Sequence, residues 1–296
     1  MKELVIHLGY PKTATTFFQS EIFNKSRQIN YLGKPFNNTF QKIEKIIMSS
    51  NEKDFKSQFP ELLDLFSLMN LQDRKLNLIS NEGFLLFRKH NNNFLTTLFR
   101  LKDICDELNI NLKFFFVIRN QNELLISYFI QAEKYLKLHK ITLKDILNSL
   151  TNNIHNEFLD FFNFYDIYLQ IKKIDPDVRV FAYEEFREYP KVFINDICKY
   201  LKINNDFNVD YKLEINKTIN KLSFINRLKF HVKNKSLFNN INLKINFFIS
   251  NTIFRSTQRK RNQLLKKEKF IKKYFYKNNL LINKIMKDKL TKNNYF

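Results

Sequence analysis

A three-layer α/β fold with a mainly parallel central sheet is predicted from three observations. Apolar runs of strand length, around Val5–Leu8, Leu76–Ser80, Phe114–Ile118 and Val178–Tyr183, alternate with longer stretches of helical periodicity. One of these runs, Phe114-Phe115-Phe116-Val117-Ile118, is apolar at every position, as suits a central parallel strand covered on both faces. The first run turns through Gly9-Tyr10-Pro11 into a hydroxyl-rich helix start, the local shape of a strand-to-helix unit.

Composition bounds the architecture. The chain has 296 residues, 44% of them hydrophobic, enough for one substantial core. Three glycines and five prolines leave few tight turns, so helices are expected to be long. The net charge of +21 is uneven. From Arg227 onward 19 Lys and Arg face two acids, whereas 31 basic and 27 acidic side chains precede it. The expected organisation is a nearly neutral α/β core over 1–226 and a basic, helical C-terminal extension over 227–296 packed on it. Cys105 and Cys198 lack metal-type spacing and read as buried thiols. No apolar run before Gly9 suits a signal peptide, and no run of about eighteen apolar residues marks a membrane span, so a cytoplasmic protein is expected.

Along the chain, Val5–Leu8 ends in Gly9-Tyr10-Pro11, followed by Lys12, three threonines (Thr13, Thr15, Thr16) and an amphipathic segment from Thr15 to Asn24. Unpaired helix-start N–H groups, the positive dipole end and the Lys12 ammonium converge there, which makes an anion site. The Walker pattern does not fit, because its second glycine is missing and Lys12 follows Gly9 too soon. Tyr31-Leu32-Gly33-Lys34-Pro35 reads as a turn, and Asn37 to Asn70 as two helices broken at Pro60. Leu76–Ser80 runs into Asn81-Glu82-Gly83, putting a carboxylate at the C-terminal end of a strand, where ligands collect in parallel sheets. The other reading of Glu82 is a cap for a helix starting near Phe84.

Asn93 to Leu108 is helical by period, with Phe94, Leu98, Leu101, Ile104 and Leu108 on one face. After Phe114–Ile118 comes Arg119, with Ser127 eight positions on in the next helix. An arginine fork and a hydroxyl two turns along can address one anion. Ile130 to Tyr168 reads as helical with a break near Asn152-Asn153, and its aromatic stripe Phe158–Tyr165 as core packing. Val178–Tyr183 is a strand, followed by Glu184-Glu185-Phe186 and a helix over Phe193–Leu201. His7 reads as a core or edge histidine.

Tyr10-Pro11-Lys12-Thr13-Ala14-Thr15-Thr16 resembles the 5'-phosphosulfate loop of the sulfotransferases, usually Tyr-Pro-Lys-Ser/Thr-Gly-Thr-Thr, and departs from it at Ala14. The Arg119 and Ser127 spacing resembles that family's 3'-phosphate element, and Ser80-Asn81-Glu82-Gly83 the segment in which carbohydrate-acting members carry an acceptor base. Weaker likenesses lie at Tyr183-Glu184-Glu185-Phe186, at Leu213–Thr218 and at Asn278–Leu281. The Lys-Gly-rich loop with which many animal members also grip the 3'-phosphate has no counterpart here.

The resemblance implies a P-loop-like fold of the bacterial, carbohydrate-type sulfotransferases, with 3'-phosphoadenosine 5'-phosphosulfate (PAPS) as donor and no metal. It implies Lys12 and Glu82 as catalytic residues, with Lys12, Thr13, Ala14, Thr15, Thr16, Arg119 and Ser127 holding the donor. The acceptor would be a hydroxyl of a glycan, glycolipid or lipid-linked sugar; the charge of the basic tail suits steering of a polyanionic glycan, peripheral contact with the anionic inner face of a membrane, or equally a solvated helix. The alternative is a basic nucleic-acid or membrane-surface binding protein with a non-catalytic phosphate loop. Nucleic acid is not the expected partner, because that reading leaves the Arg119 and Ser127 spacing unexplained.

Overall fold

The computed structural model describes residues 2–33, 38–49, 51–86, 94–205, 256–291 and 295–296. Five strands, β1 (Lys2–His7), β2 (Ile29–Tyr31), β3 (Leu76–Ser80), β4 (Ile110–Ile118) and β5 (Arg179–Ala182), form a sheet in the order β2-β3-β1-β4-β5. Every neighbouring pair is parallel. Alternate side chains of a strand face opposite sides, and both sides are apolar here. Leu4, Ile6, Phe114, Phe116 and Ile118 enter one core, while Val5, Phe115 and Val117 enter the other. That double burial is why β4 is apolar without alternation from Phe114 to Ile118.

Helices cover both faces. On one side lie α1 (Thr15–Phe17), which continues directly as a π-helical segment Phe18–Phe23, and, later in the chain, α10 (Tyr183–Glu188) and α11 (Pro190–Leu201). The opposite face takes α2 (Asn38–Ser49), α3 (Glu52–Ser57), α4 (Phe59–Ser67), α5 (Phe94–Glu107), α6 (Gln121–Leu138), α7 (Leu143–Asn152), α8 (Glu157–Asp160) and α9 (Phe164–Lys172). The stripe Phe158–Tyr165 belongs to this core, with Phe158, Phe162 and Phe164 fully buried.

Three local readings are corrected. Tyr31 ends a strand rather than opening a turn. The region from Asn38 to Ser67 holds three helices rather than two, with one break at Gln58, just before Pro60 as expected, and another at Asn51, whose side chain accepts from Asp54 N at 2.9 Å and caps α3. Pro60 sits in the first turn of α4, where its missing N–H would have no helical partner anyway. The stretch from Ile130 to Tyr168 breaks at 139–142 as well as after Asn152.

Leu213–Thr218 and much of the basic extension lie outside the described residues. Helix α12 (Glu268–Ile285) buries Ile271, Phe275 and Ile282 in the larger core. Asn278 Oδ1 accepts from Tyr165 N at 2.9 Å, and the amides of Asn279 and Gln121 pair with each other. No helix among the described residues is long and apolar enough to cross a membrane.

The chain leaves β1 toward β2 and β3, then crosses back to β4, so the order reverses between β1 and β4. The carboxyl ends of two such strands diverge to form a crevice, the usual ligand position in open α/β sheets.

Candidate functional site

Pairing with β4 continues beyond β1. Leu8 N donates to Phe115 O at 3.0 Å and Tyr10 N to Val117 O at 3.0 Å, which holds the following loop against the end of β4. Gly9 has φ +97, and a Cβ there would lie 3.0 Å from Glu82 Cβ and 3.2 Å from its Cα. Only glycine fits both the backbone and the space. The loops after β1 and β3 are therefore in contact, with Glu82 half-buried beside Gly9.

The Tyr10 ring is buried, and its hydroxyl donates to Phe161 O at 3.0 Å, anchoring the loop at the α8–α9 turn. Thr13 Oγ1 and Thr15 Oγ1 both donate to Tyr10 O, at 2.5 and 3.2 Å. A hydroxyl has one proton to donate, so Thr13 and Thr15 would meet an anion through backbone N–H groups. Thr16 is exposed. Lys12 and Ala14 have φ 68 and φ 62, both left-handed, and Ala14 stands immediately before α1.

An L-residue in that conformation costs about 1–2 kcal/mol, and glycine's extra freedom when unfolded returns about 0.4–1 kcal/mol of it. Ala14→Gly is therefore expected to stabilise the protein by about 0.5–1 kcal/mol. A thermal melt checks this, and an unchanged or lower Tm would mean that the loop carries no such strain.

Arg119 follows β4 directly. Its Nη1 donates to Lys12 O at 3.0 Å, joining residues 107 apart in sequence. Nε and Nη2 donate to Glu123 Oε2 at 3.1 and 2.6 Å, and the guanidinium lies over the Tyr183 ring, 4.8 Å from its centroid. A guanidinium has five N–H donors, and three are committed here, leaving one on each terminal nitrogen. The other oxygen of Glu123 accepts from Arg187 Nη1 at 3.2 Å. Burial alone would raise the Glu123 pKa, but the hydrogen bonds and charges of Arg119 and Arg187 outweigh it and hold the carboxyl below its ordinary value.

Ser127, two turns along α6, is buried, and its Oγ has no hydrogen-bond partner. Leaving a buried hydroxyl unsatisfied costs about 1–3 kcal/mol. That cost is removed if a ligand supplies the partner.

At the end of β3, Asn81 N donates to His7 O at 2.9 Å. Asn81 Oδ1 accepts from Gly83 N at 2.9 Å, so Asn81 rather than Glu82 caps the short 3₁₀ turn Glu82–Leu85. Asn81 Nδ2 donates to Glu44 Oε1 at 2.7 Å, bringing a second carboxylate to this edge. His7 is a core residue. Its Nδ1 pairs with Ser80 Oγ at 2.7 Å, its ring stacks on Phe115 at 4.7 Å, and burial lowers its pKa to about 3, which keeps it neutral.

Behind Arg119, buried Glu184 accepts from Asn120 N at 2.9 Å through Oε1 and from Tyr295 hydroxyl at 2.9 Å through Oε2. Desolvation raises its pKa. The sequence reading did not single out Glu123, Arg187 or Tyr295. Glu123 stands one helical turn after Arg119 and was within reach of spacing arguments. Tyr183 and Arg187 share a face of α10, but Tyr183 meets Arg119 and Arg187 meets Glu123 only because β5 lies next to β4. Among the described residues, no group of three or more His, Cys, Asp or Glu side chains could hold a metal ion.

No family model and no curated protein matches this chain. Among solved structures it is similar to the sulfotransferase from Alicyclobacillus acidocaldarius, with 12% identity and TM-score 0.44 over 77% of this chain and 91% of that one. It is also similar to the sulfotransferase domain of the Synechococcus PCC 7002 olefin synthase, with 10% identity and TM-score 0.34 over 69% and 74% of the two chains. The sulfotransferase domain from the curacin biosynthetic pathway is a third, with 12% identity and TM-score 0.37 over 74% and 77%.

Proposed function

We propose that this chain is a sulfotransferase that takes PAPS as donor and a hydroxyl of a glycan or lipid-linked sugar as acceptor. The observation that carries the reading is the 3.0 Å bond from Arg119 Nη1 to Lys12 O, with the unpartnered buried hydroxyl of Ser127 on the helix that follows Arg119. It brings together the two segments that resemble the donor elements, at the reversal point of a parallel sheet. The two uncommitted N–H groups of Arg119 and the Ser127 hydroxyl would hold the 3'-phosphate. Lys12, the backbone of Thr13, Ala14 and Thr15, and the backbone and hydroxyl of Thr16 would hold the phosphosulfate.

PAPS, when bound, supplies the sulfuryl group. Lys12 stabilises the negative charge that develops at the 5'-phosphate end. Glu82 accepts the proton of the acceptor hydroxyl. A glutamate at this strand end supports a sugar acceptor. The excess of Lys and Arg beyond Arg227 supports a polyanionic glycan or an acceptor held at the anionic inner face of a membrane.

Binding of adenosine 3',5'-bisphosphate tests the reading. Arg119→Ala is expected to weaken it at least a hundredfold, about 2.7 kcal/mol or more, because charge-assisted bonds to phosphate are lost. Wild-type protein that ignores this nucleotide but binds DNA in a salt-dependent way would establish the nucleic-acid alternative.

A further inference from the structure

We propose that Arg187, on α10 after the neighbouring strand β5, is the second cation of the 3'-phosphate site, bridged to Arg119 through Glu123. The inference rests on the donor reading above and adds to it a residue that sets nucleotide selectivity. Charge balance is its first support. A phosphate monoester carries about −1.5 to −2 near neutral pH. Arg119 has already given Nε and Nη2 to Glu123, so that carboxylate offsets much of its charge while one N–H on each terminal nitrogen remains for the anion. Lys12 belongs to the opposite end of the nucleotide. Adding Arg187, whose Nη1 lies 3.2 Å from Glu123 Oε1 and 3.4 Å from Oε2, sets two guanidinium groups against the Glu123 carboxylate.

Geometry is the second support. Tyr183 and Arg187 stand one turn apart on α10, so the turn that stacks Tyr183 under Arg119 also directs Arg187 to the same carboxylate. Arg187 is 44% exposed along its side chain, whereas Arg119 is 17% exposed. Arg119 is thus the fixed member and Arg187 the one with room to turn toward a ligand. Its Nε and Nη2 hydrogens remain for that purpose.

The test is titration of the full chain, wild type, Arg187→Ala and Arg187→Lys, with adenosine 3',5'-bisphosphate and separately with adenosine 5'-monophosphate. Arg187→Ala is expected to weaken the bisphosphate roughly ten- to fiftyfold while leaving the monophosphate within about twofold. Arg187→Lys, which keeps the charge but loses the fork, is expected to fall between. Thermal melts of all three should nearly coincide, since a half-exposed ion pair contributes little to stability. Unchanged bisphosphate affinity in Arg187→Ala, or an equal loss for both nucleotides, overturns the proposal. A wild-type protein with no preference for the bisphosphate overturns the donor reading itself, and this inference with it.

Discussion

Lys12→Ala is expected to lower sulfate transfer by roughly a thousandfold or more, about 4 kcal/mol of transition-state stabilisation, in a protein that still folds and still binds adenosine 3',5'-bisphosphate. The three outcomes separate because the residue contributes through different atoms. Its carbonyl accepts from Arg119 Nη1, and alanine keeps that carbonyl. Its φ of 68 is unfavourable for any residue with a Cβ, so exchanging lysine for alanine leaves the backbone cost nearly unchanged. What is lost is the side chain with its ammonium. An ammonium beside a leaving phosphate oxygen acts mainly in the transition state, where charge has moved onto that oxygen, so its removal lowers kcat more than ground-state binding. Circular dichroism, nucleotide titration and kcat on one preparation check all three. A folded variant within several-fold of wild-type kcat would remove Lys12 from the chemistry.

Local features of the fold and site are legible in the sequence, while those created by sheet order are not. The Phe114–Ile118 part of β4 announces itself because both faces are buried there, so no polar residue interrupts it. β2 has three residues, too few to show a recognisable alternation. The break before α3 depends on Asn51 capping, whereas Pro60 is tolerated where helices begin. Within the site, the Lys12 loop and the Arg119 to Ser127 helix are each short and self-contained, and their residue types state the chemistry. Their meeting at 3.0 Å follows from β1 pairing with β4, which no local pattern encodes. The threonines show a different limit. Composition suggests hydroxyl donors to an anion, but the left-handed turns at Lys12 and Ala14 accompany a loop in which Thr13 and Thr15 bond Tyr10 O.

For Glu82→Gln the expected result is donor affinity within a few-fold of wild type and turnover reduced roughly a hundredfold or more, the usual contribution of a general base. Glutamine keeps the side-chain shape beside Gly9, so contact between the β1 and β3 loops should survive. Asn81, not Glu82, supplies the capping acceptor for Gly83 N, so the substitution removes no cap and Tm should hardly move. A lowered Tm with unchanged kcat would return Glu82 to a structural role. Unchanged kcat and unchanged Tm would direct attention to Glu44, which Asn81 Nδ2 holds at 2.7 Å on the same edge of the sheet. Glu44→Gln would then be the variant expected to lose turnover. Because Asn81 connects the two glutamates through its backbone neighbour and its side-chain amide, Asn81→Ala should slow transfer whichever carboxylate takes the proton, through loss of the cap if Glu82 is the base and of the amide bond if it is Glu44.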